Sequence, residues 1–157
     1  MRSSLTKPHA LSLLIALFSL FPLSANSGSL DGYLFDTRPV LLFTNSSDNA
    51  KYKAQLAALS EYECELYLRD LEVLKVFNER ESVIDGAALS KEEVSFLKDE
   101  LEVGPHSDLI VLVGKDGRVK LRAQMPIKPI DLLRLVDAMP MRQVEQMTRP
   151  QATCHSA

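Results

Sequence analysis

Pro39-Val40-Leu41-Leu42-Phe43, running on into Thr44-Asn45-Ser46-Ser47-Asp48-Asn49, is the stretch that organises this chain. Positions 40–43 are apolar without a break, the pattern of a strand buried on both faces at the centre of a sheet covered on both sides by helices. The residues that follow are short and polar. Their side-chain oxygens suit a helix start, with Ser47 or Asp48 as the expected N-cap.

Downstream, Tyr52, Leu56, Leu59, Tyr62 or Glu63, and Leu66 recur at intervals of three and four, which predicts one apolar stripe on a helix ending near Leu68. Cys64 falls roughly 130° from the centre of that stripe at 100° per residue, so it is expected to be partly exposed. Residues 71–77 read as a second strand, and 78–86 as a polar, irregular stretch. Ser90-Lys91-Glu92-Glu93 matches a capping box opening a helix to about Leu101 that buries Val94, Leu97 and Leu101.

Residues 108–113 form a third predicted strand. Gly114-Lys115-Asp116-Gly117 supplies a tight turn, and 118–122 return as a fourth strand. Pro129 suits the first turn of a final helix, which Pro140 is expected to stop. The order is βαβαββα. Two β-α-β connections call for parallel central strands, with the hairpin adding an antiparallel edge and helices on both faces. The fold class expected is therefore α/β with a central mixed sheet, the layout of the thioredoxin fold.

Ahead of this domain, residues 1–25 read as an export signal. Arg2 and Lys7 precede an apolar run, and Pro22-Leu23-Ser24-Ala25 offers small residues for cleavage. The run is too short to span a bilayer comfortably, so no stable membrane insertion is expected after cleavage; an uncleaved anchor is the alternative. Cleavage after Ala25 leaves 132 of the 157 residues, enough for one domain over 30–147 and a tail over 148–157 expected to be disordered. It removes two basic residues and no acidic one, leaving 16 against 21 and a net charge of −5. That balance argues against a nucleic-acid partner, which needs cations to neutralise phosphates. The expected localisation is exported, periplasmic or secreted.

Four segments carry a family resemblance: Arg38-Pro39-Val40-Leu41-Leu42-Phe43, Leu68-Arg69-Asp70-Leu71, Leu112-Val113-Gly114-Lys115-Asp116-Gly117-Arg118-Val119-Lys120-Leu121-Arg122, and Val136-Asp137-Ala138-Met139-Pro140-Met141-Arg142. Together they resemble the DUDES domain, a thioredoxin- or peroxiredoxin-like domain of unknown function in small exported bacterial proteins and in sushi-repeat-containing extracellular proteins. The resemblance covers roughly residues 30–147 and implies the fold more than an activity.

Thioredoxin and peroxiredoxin chemistry needs a thiolate activated at the start of the first helix. Ser46 and Ser47 occupy that turn here, and a serine hydroxyl has neither the acidity nor the redox chemistry to substitute. Thioredoxins also place a cis-proline just before the third strand, whereas Pro105 stands three residues too early. Cys64 and Cys154 are the only cysteines. A bridge between them, two free thiols, or an intermolecular bridge are the open alternatives.

The turn could also hold an anion on its N–H groups and hydroxyls, though Ser and Asp favour such positions as plain caps. Lys115, Lys120 and Arg122, with Arg118, make the hairpin basic on an acidic protein, and Arg69 and Arg142 extend the charge. As a binding face this suits an acidic protein, a glycan or a phospholipid headgroup; as a bland one it is a solvated edge kept soluble by charge. Met139, Met141 and Met147 suit packing better than copper, and His155 beside Cys154 lacks zinc spacing, so no metal or cofactor is expected. The chain thus reads as a non-catalytic domain that binds a protein or envelope component through Ser46, Ser47, Arg69, Lys115, Lys120, Arg122 and Arg142. The alternative is a thiol-dependent oxidoreductase using Cys64 or Cys154.

Overall fold

A computed structural model describes residues 30–78, 82–84, 87–148 and 153–154. The predicted export signal and most of the tail lie outside the described residues. After a 3-10 turn (Leu30–Tyr33) come β1 (Arg38–Thr44), α1 (Ala50–Ser60), α2 (Glu63–Tyr67), β2 (Leu71–Phe77), β3 (Ser82–Ile84), β4 (Ala87–Leu89) and α3 (Lys91–Glu100). The chain continues through β5 (Leu109–Val113), β6 (Val119–Gln124), α4 (Pro129–Asp137) and α5 (Pro140–Thr148). The six strands make one mixed sheet in the order β4-β3-β2-β1-β5-β6.

β1 lies at the centre, and every one of its residues is buried. Its side chains alternate between two cores, as the two-residue period of a strand requires. Leu41 and Phe43 pack with Val111, Val113 and the Val94 and Leu97 face of α3. Val40 and Leu42 pack with Ile110, Leu112 and residues of α1, α2 and α4, among them Leu59, Leu66 and Leu132. The sheet is thus covered on both faces.

One expected direction is reversed. β1 and β2 are parallel, with Arg38 beside Leu71 and Thr44 beside Phe77. β5, however, runs antiparallel to β1, with Phe43 beside Leu109 and Val40 beside Leu112. The cause lies in the segment between them. The stretch expected to be irregular, 78–86, contributes β3, which pairs antiparallel with β4 just after it at the sheet edge. From that edge α3 crosses to the far side, where the Leu101 carbonyl accepts a hydrogen bond from Arg122 on β6. The chain then enters β5 at the end where it left β1, because the Thr44 hydroxyl donates to Asp108, one residue before β5, at 2.9 Å.

Three smaller expectations change as well. The single first helix is two, since α1 stops at Ser60 and α2 begins at Glu63. Asn49 is the N-cap in place of Ser47 or Asp48, its side chain accepting from the Lys51 and Tyr52 N–H groups. Pro140 opens α5 rather than merely ending α4, which closes at Asp137. The capping box is formed as expected, with Ser90 and Glu93 each accepting the other's backbone N–H.

Candidate functional site

The two ends of β1 differ in chemistry. At its C-terminal end, where β1 turns into α1, neutral amides dominate. Lys98 donates to Asn78, Asn78 donates to Asn45, and the Asn45 amide lies 3.1 Å from His106 Nδ1. The ammonium can only donate, so it fixes the sense of the whole relay. Asn78 must offer its oxygen to Lys98 and its NH2 to Asn45, whose own NH2 then faces the ring. His106 Nδ1 is thereby placed to accept from that NH2. His106 is exposed and its backbone is left-handed, with φ 59°.

Beside this relay, Asp108 gathers the start of α1. Its Oδ1 accepts from Thr44 at 2.9 Å and from the Asn49 amide at 3.0 Å, while Lys51 stands 3.8 Å from Oδ2. Ser46 Oγ accepts from the Asp48 N–H at 3.2 Å, closing the turn. Behind Asn78, a cleft of about 310 Å³ is lined by Phe77, Leu89, Val94 and Pro105 together with Lys91 and Lys98. Burial lowers the Lys98 pKa.

At the opposite end the residues are ionic. Arg38, the first residue of β1, donates to Glu145 at 2.9 Å and to the Arg69 carbonyl at 2.9 Å. Lys115 lies 2.6 Å from Asp70 and 2.9 Å from the same Glu145 oxygen. Arg69 pairs with Asp137 at 2.8 Å and with Glu65 at 2.6 Å. Arg142 stands 3.6 Å from both Asp137 and Glu145. Burial by itself would raise the Glu145 carboxyl, but the hydrogen bonds from Arg38 and Lys115 outweigh it and hold the carboxyl below its usual range. A cleft of about 270 Å³ opens here, lined by Arg38, Lys115, Lys120 and the Met139-Pro140-Met141 junction.

These placements divide the residues singled out in the sequence. Ser46 and Ser47 belong to the amide end, whereas Arg69, Lys115 and Arg142 belong to the ionic end. Six strand steps, about 20 Å, separate the two. Lys115 also departs from the expected basic hairpin surface: it is 3 % exposed and turned inward between two carboxylates. Lys120 is paired with Asp116 at 2.7 Å, and Arg122 with Glu102 at 3.2 Å and the Leu101 carbonyl. The lysine hydrogen bond is the main cause holding Asp116 below the usual carboxylate range.

Composition gave no hint of the relay, but position did. Asn45 and Asn78 directly follow two parallel strands, and Asp108 directly precedes the neighbouring one. Ligands in open α/β sheets gather outside such strand ends.

Cys64 and Cys154 are joined in a disulfide across 90 positions, which resolves the three alternatives left open by the sequence. Among the described residues there is no free cysteine. Nor, among them, do three or more His, Cys, Asp or Glu residues gather to hold a metal, and no helix is long and apolar enough to cross a membrane. The cis peptide bond lies at Met125-Pro126, after β6, not at Pro105.

This sheet, with a helix-opening turn at the end of its central strand, defines a thioredoxin-fold protein of peroxiredoxin shape. Solved peroxiredoxins superpose on it at low identity. Plasmodium yoelii thioredoxin peroxidase I gives a TM-score of 0.54 at 16% identity over 78% of this chain and 82% of its own. Plasmodium vivax 2-Cys peroxiredoxin in its reduced form gives 0.53 at 14% over 74% and 72%, and Mycobacterium tuberculosis AhpC 0.53 at 17% over 69% and 72%. The likeness is one of fold. The chain belongs to the family described as domain of unknown function DUF4174, which matches residues 29–145. It is also 27% identical over 132 residues to the human sushi repeat-containing protein SRPX, covering 81% of this chain and 28% of the length of that protein.

Proposed function

We propose that this is an exported, DUDES-type thioredoxin-fold domain that binds a protein or envelope component at the amide end of its sheet and performs no thiol chemistry there. One observation carries this reading. The turn where a thioredoxin-fold enzyme needs its thiolate holds Ser46 and Ser47, and the only two cysteines are bonded to each other in a bridge anchored on α2. What remains at the turn is a set of oriented polar groups: the His106 ring, the Asp108 carboxylate and the serine hydroxyls. Such groups recognise a polar surface by hydrogen bonding. Export is supported by the disulfide, since such bonds persist in oxidising compartments, and by the signal-like residues 1–25.

The oxidoreductase alternative has one observation in its favour, the exposure of Cys64. Both readings are tested by one comparison. Wild type and an Asn45→Ala, His106→Ala double variant, each verified as folded, are used to capture proteins from the extracellular or envelope fraction of the source cells. A bound protein lost in the variant supports the amide end as the binding face. Equal capture by both removes that face from consideration. Turnover of peroxide or of a protein disulfide by the wild-type chain overturns the non-catalytic reading.

A further inference from the structure

At the ionic end, Glu145 sits where a ligand would. Its Oε1 receives Arg38 and Lys115, each at 2.9 Å, and these two cations are 1 % and 3 % exposed. Yet the helix that carries it is held lightly. No residue of α5 is buried, and Met141, Val144 and Met147 remain exposed. The buried side-chain atoms lacking a hydrogen bond among the described residues, Arg142 Nε and Glu145 Oε2, both belong to α5. Burial of apolar area therefore does little to fix this helix, and its polar fit is incomplete.

Polar contacts to Arg38, Lys115 and Asp137 hold it, and a covalent link adds to them. Cys154 lies six positions beyond the last residue of α5 and is bonded to Cys64 on α2. With Ala138 and Met139 attaching its other end to α4, α5 is tied to the domain at both ends. Such tethering keeps the effective concentration of the Glu145 carboxylate at its pocket far above what any free acid reaches.

We propose that α5 is a redox-released plug: the Cys64–Cys154 disulfide holds Glu145 in a pocket made by Arg38 and Lys115, and reduction opens that pocket to a glutamate-bearing segment of a partner protein. The reductant is a dithiol. One of its thiolates attacks Sγ of the exposed Cys64, the Cys154 sulfur leaves as a thiolate and takes up a proton, and the second thiol resolves the mixed disulfide. The reductant departs as its own disulfide, and the domain has gained two electrons and two protons. Release of α5 takes Glu145 and Arg142 away together: Arg38 and Lys115 then share only Asp70, a local excess of one positive charge at the opened cleft, while Arg69 keeps Glu65 and Asp137. An acidic side chain flanked by apolar residues restores what Glu145 and the Met139-Pro140-Met141 wall supplied. This second site lies a sheet length from the amide end and does not depend on the function proposed there.

The test uses the full chain, oxidised or reduced with dithiothreitol, and a fluorescein-labelled peptide of residues 139–148 as the probe of known fit. Reduction is expected to speed tryptic cleavage after Arg142 by about tenfold or more, as local opening no longer works against the tether. The peptide is expected to bind the reduced chain only, and a peptide carrying Glu145→Gln to bind at least about tenfold more weakly, the loss of one charge-assisted contact. A Cys64→Ser, Cys154→Ser chain should behave as the reduced form without dithiothreitol. Should that variant not fold, Glu145→Gln in the disulfide-bonded chain still predicts faster exchange of the α5 amides than in wild type. Equal cleavage and equal peptide binding in both redox states would overturn the proposal. So would a reduced chain that dimerises and ignores the peptide, which would make a second copy the occupant.

Discussion

Gln55 clasps the backbone of Ile127. Its Oε1 accepts from the Ile127 N–H at 2.6 Å and its Nε2 donates to the Ile127 carbonyl at 3.3 Å, with the glutamine side chain wholly buried. A polar residue on the inner face of α1 thereby satisfies both polar groups of a segment that leaves β6 for α4, seventy-two positions away. Replacing it with leucine keeps the volume and orphans both backbone groups. Gln55→Leu is expected to cost about 1–3 kcal/mol, the desolvation penalty of unpaired buried groups. Urea unfolding should show a lower midpoint at an unchanged slope, and an unchanged midpoint would mean water enters to replace the clasp.

The start of α1 offers a cleaner local test. Asn49 caps two N–H groups, at 2.8 Å and 3.2 Å, and also donates to Asp108. Asn49→Ala should lower stability by about 1 kcal/mol or somewhat more, as loss of a cap does. Ser47→Ala and Asp48→Ala should stay within about 0.5 kcal/mol, since neither residue caps the helix. Thermal unfolding of the three variants distinguishes them, and equal losses would move the cap back to the turn residues.

Acid should weaken the ionic end. The Glu145 carboxyl is held below its ordinary value of 4.5 when folded. Its contribution is therefore complete above that unfolded value and is lost as pH falls through the lower, folded one. Unfolding free energy followed from about pH 6 to about pH 3 should decline with a steeper slope in wild type than in Glu145→Gln, because the variant has no proton to take up there. Parallel curves would show that Glu145 does not take part in the acid transition.

Much of this fold was legible because it follows from short-range rules. The unbroken apolar run at 40–43 announced a central strand, and the spacing of Ser90 and Glu93 announced the box that opens α3. The glycine turn at 114–117 announced the β5–β6 hairpin, where Gly117 takes φ 73°. The direction of β5 was not legible, because it depends on where α3 delivers the chain, a matter of long-range packing. Lys115 misled for a related reason. A lysine in a hairpin turn is ordinarily solvated, and only the approach of Asp70 and Glu145 from distant segments turns it inward. The relay of Asn45, Asn78 and His106 escaped notice because amides carry no charge and have no spacing rule, although their places at strand ends were visible.

The ionic end has one further property. Arg38, Arg69, Lys115 and Arg142 are matched by Glu65, Asp70, Asp137 and Glu145, so the cluster is neutral as a whole. Seen from beyond a Debye length of about 8 Å it casts almost no field. An approaching molecule is neither drawn to it nor repelled, and association there should proceed at a rate that ignores ionic strength. The cluster gathers eight charges and is, from a distance, electrically silent.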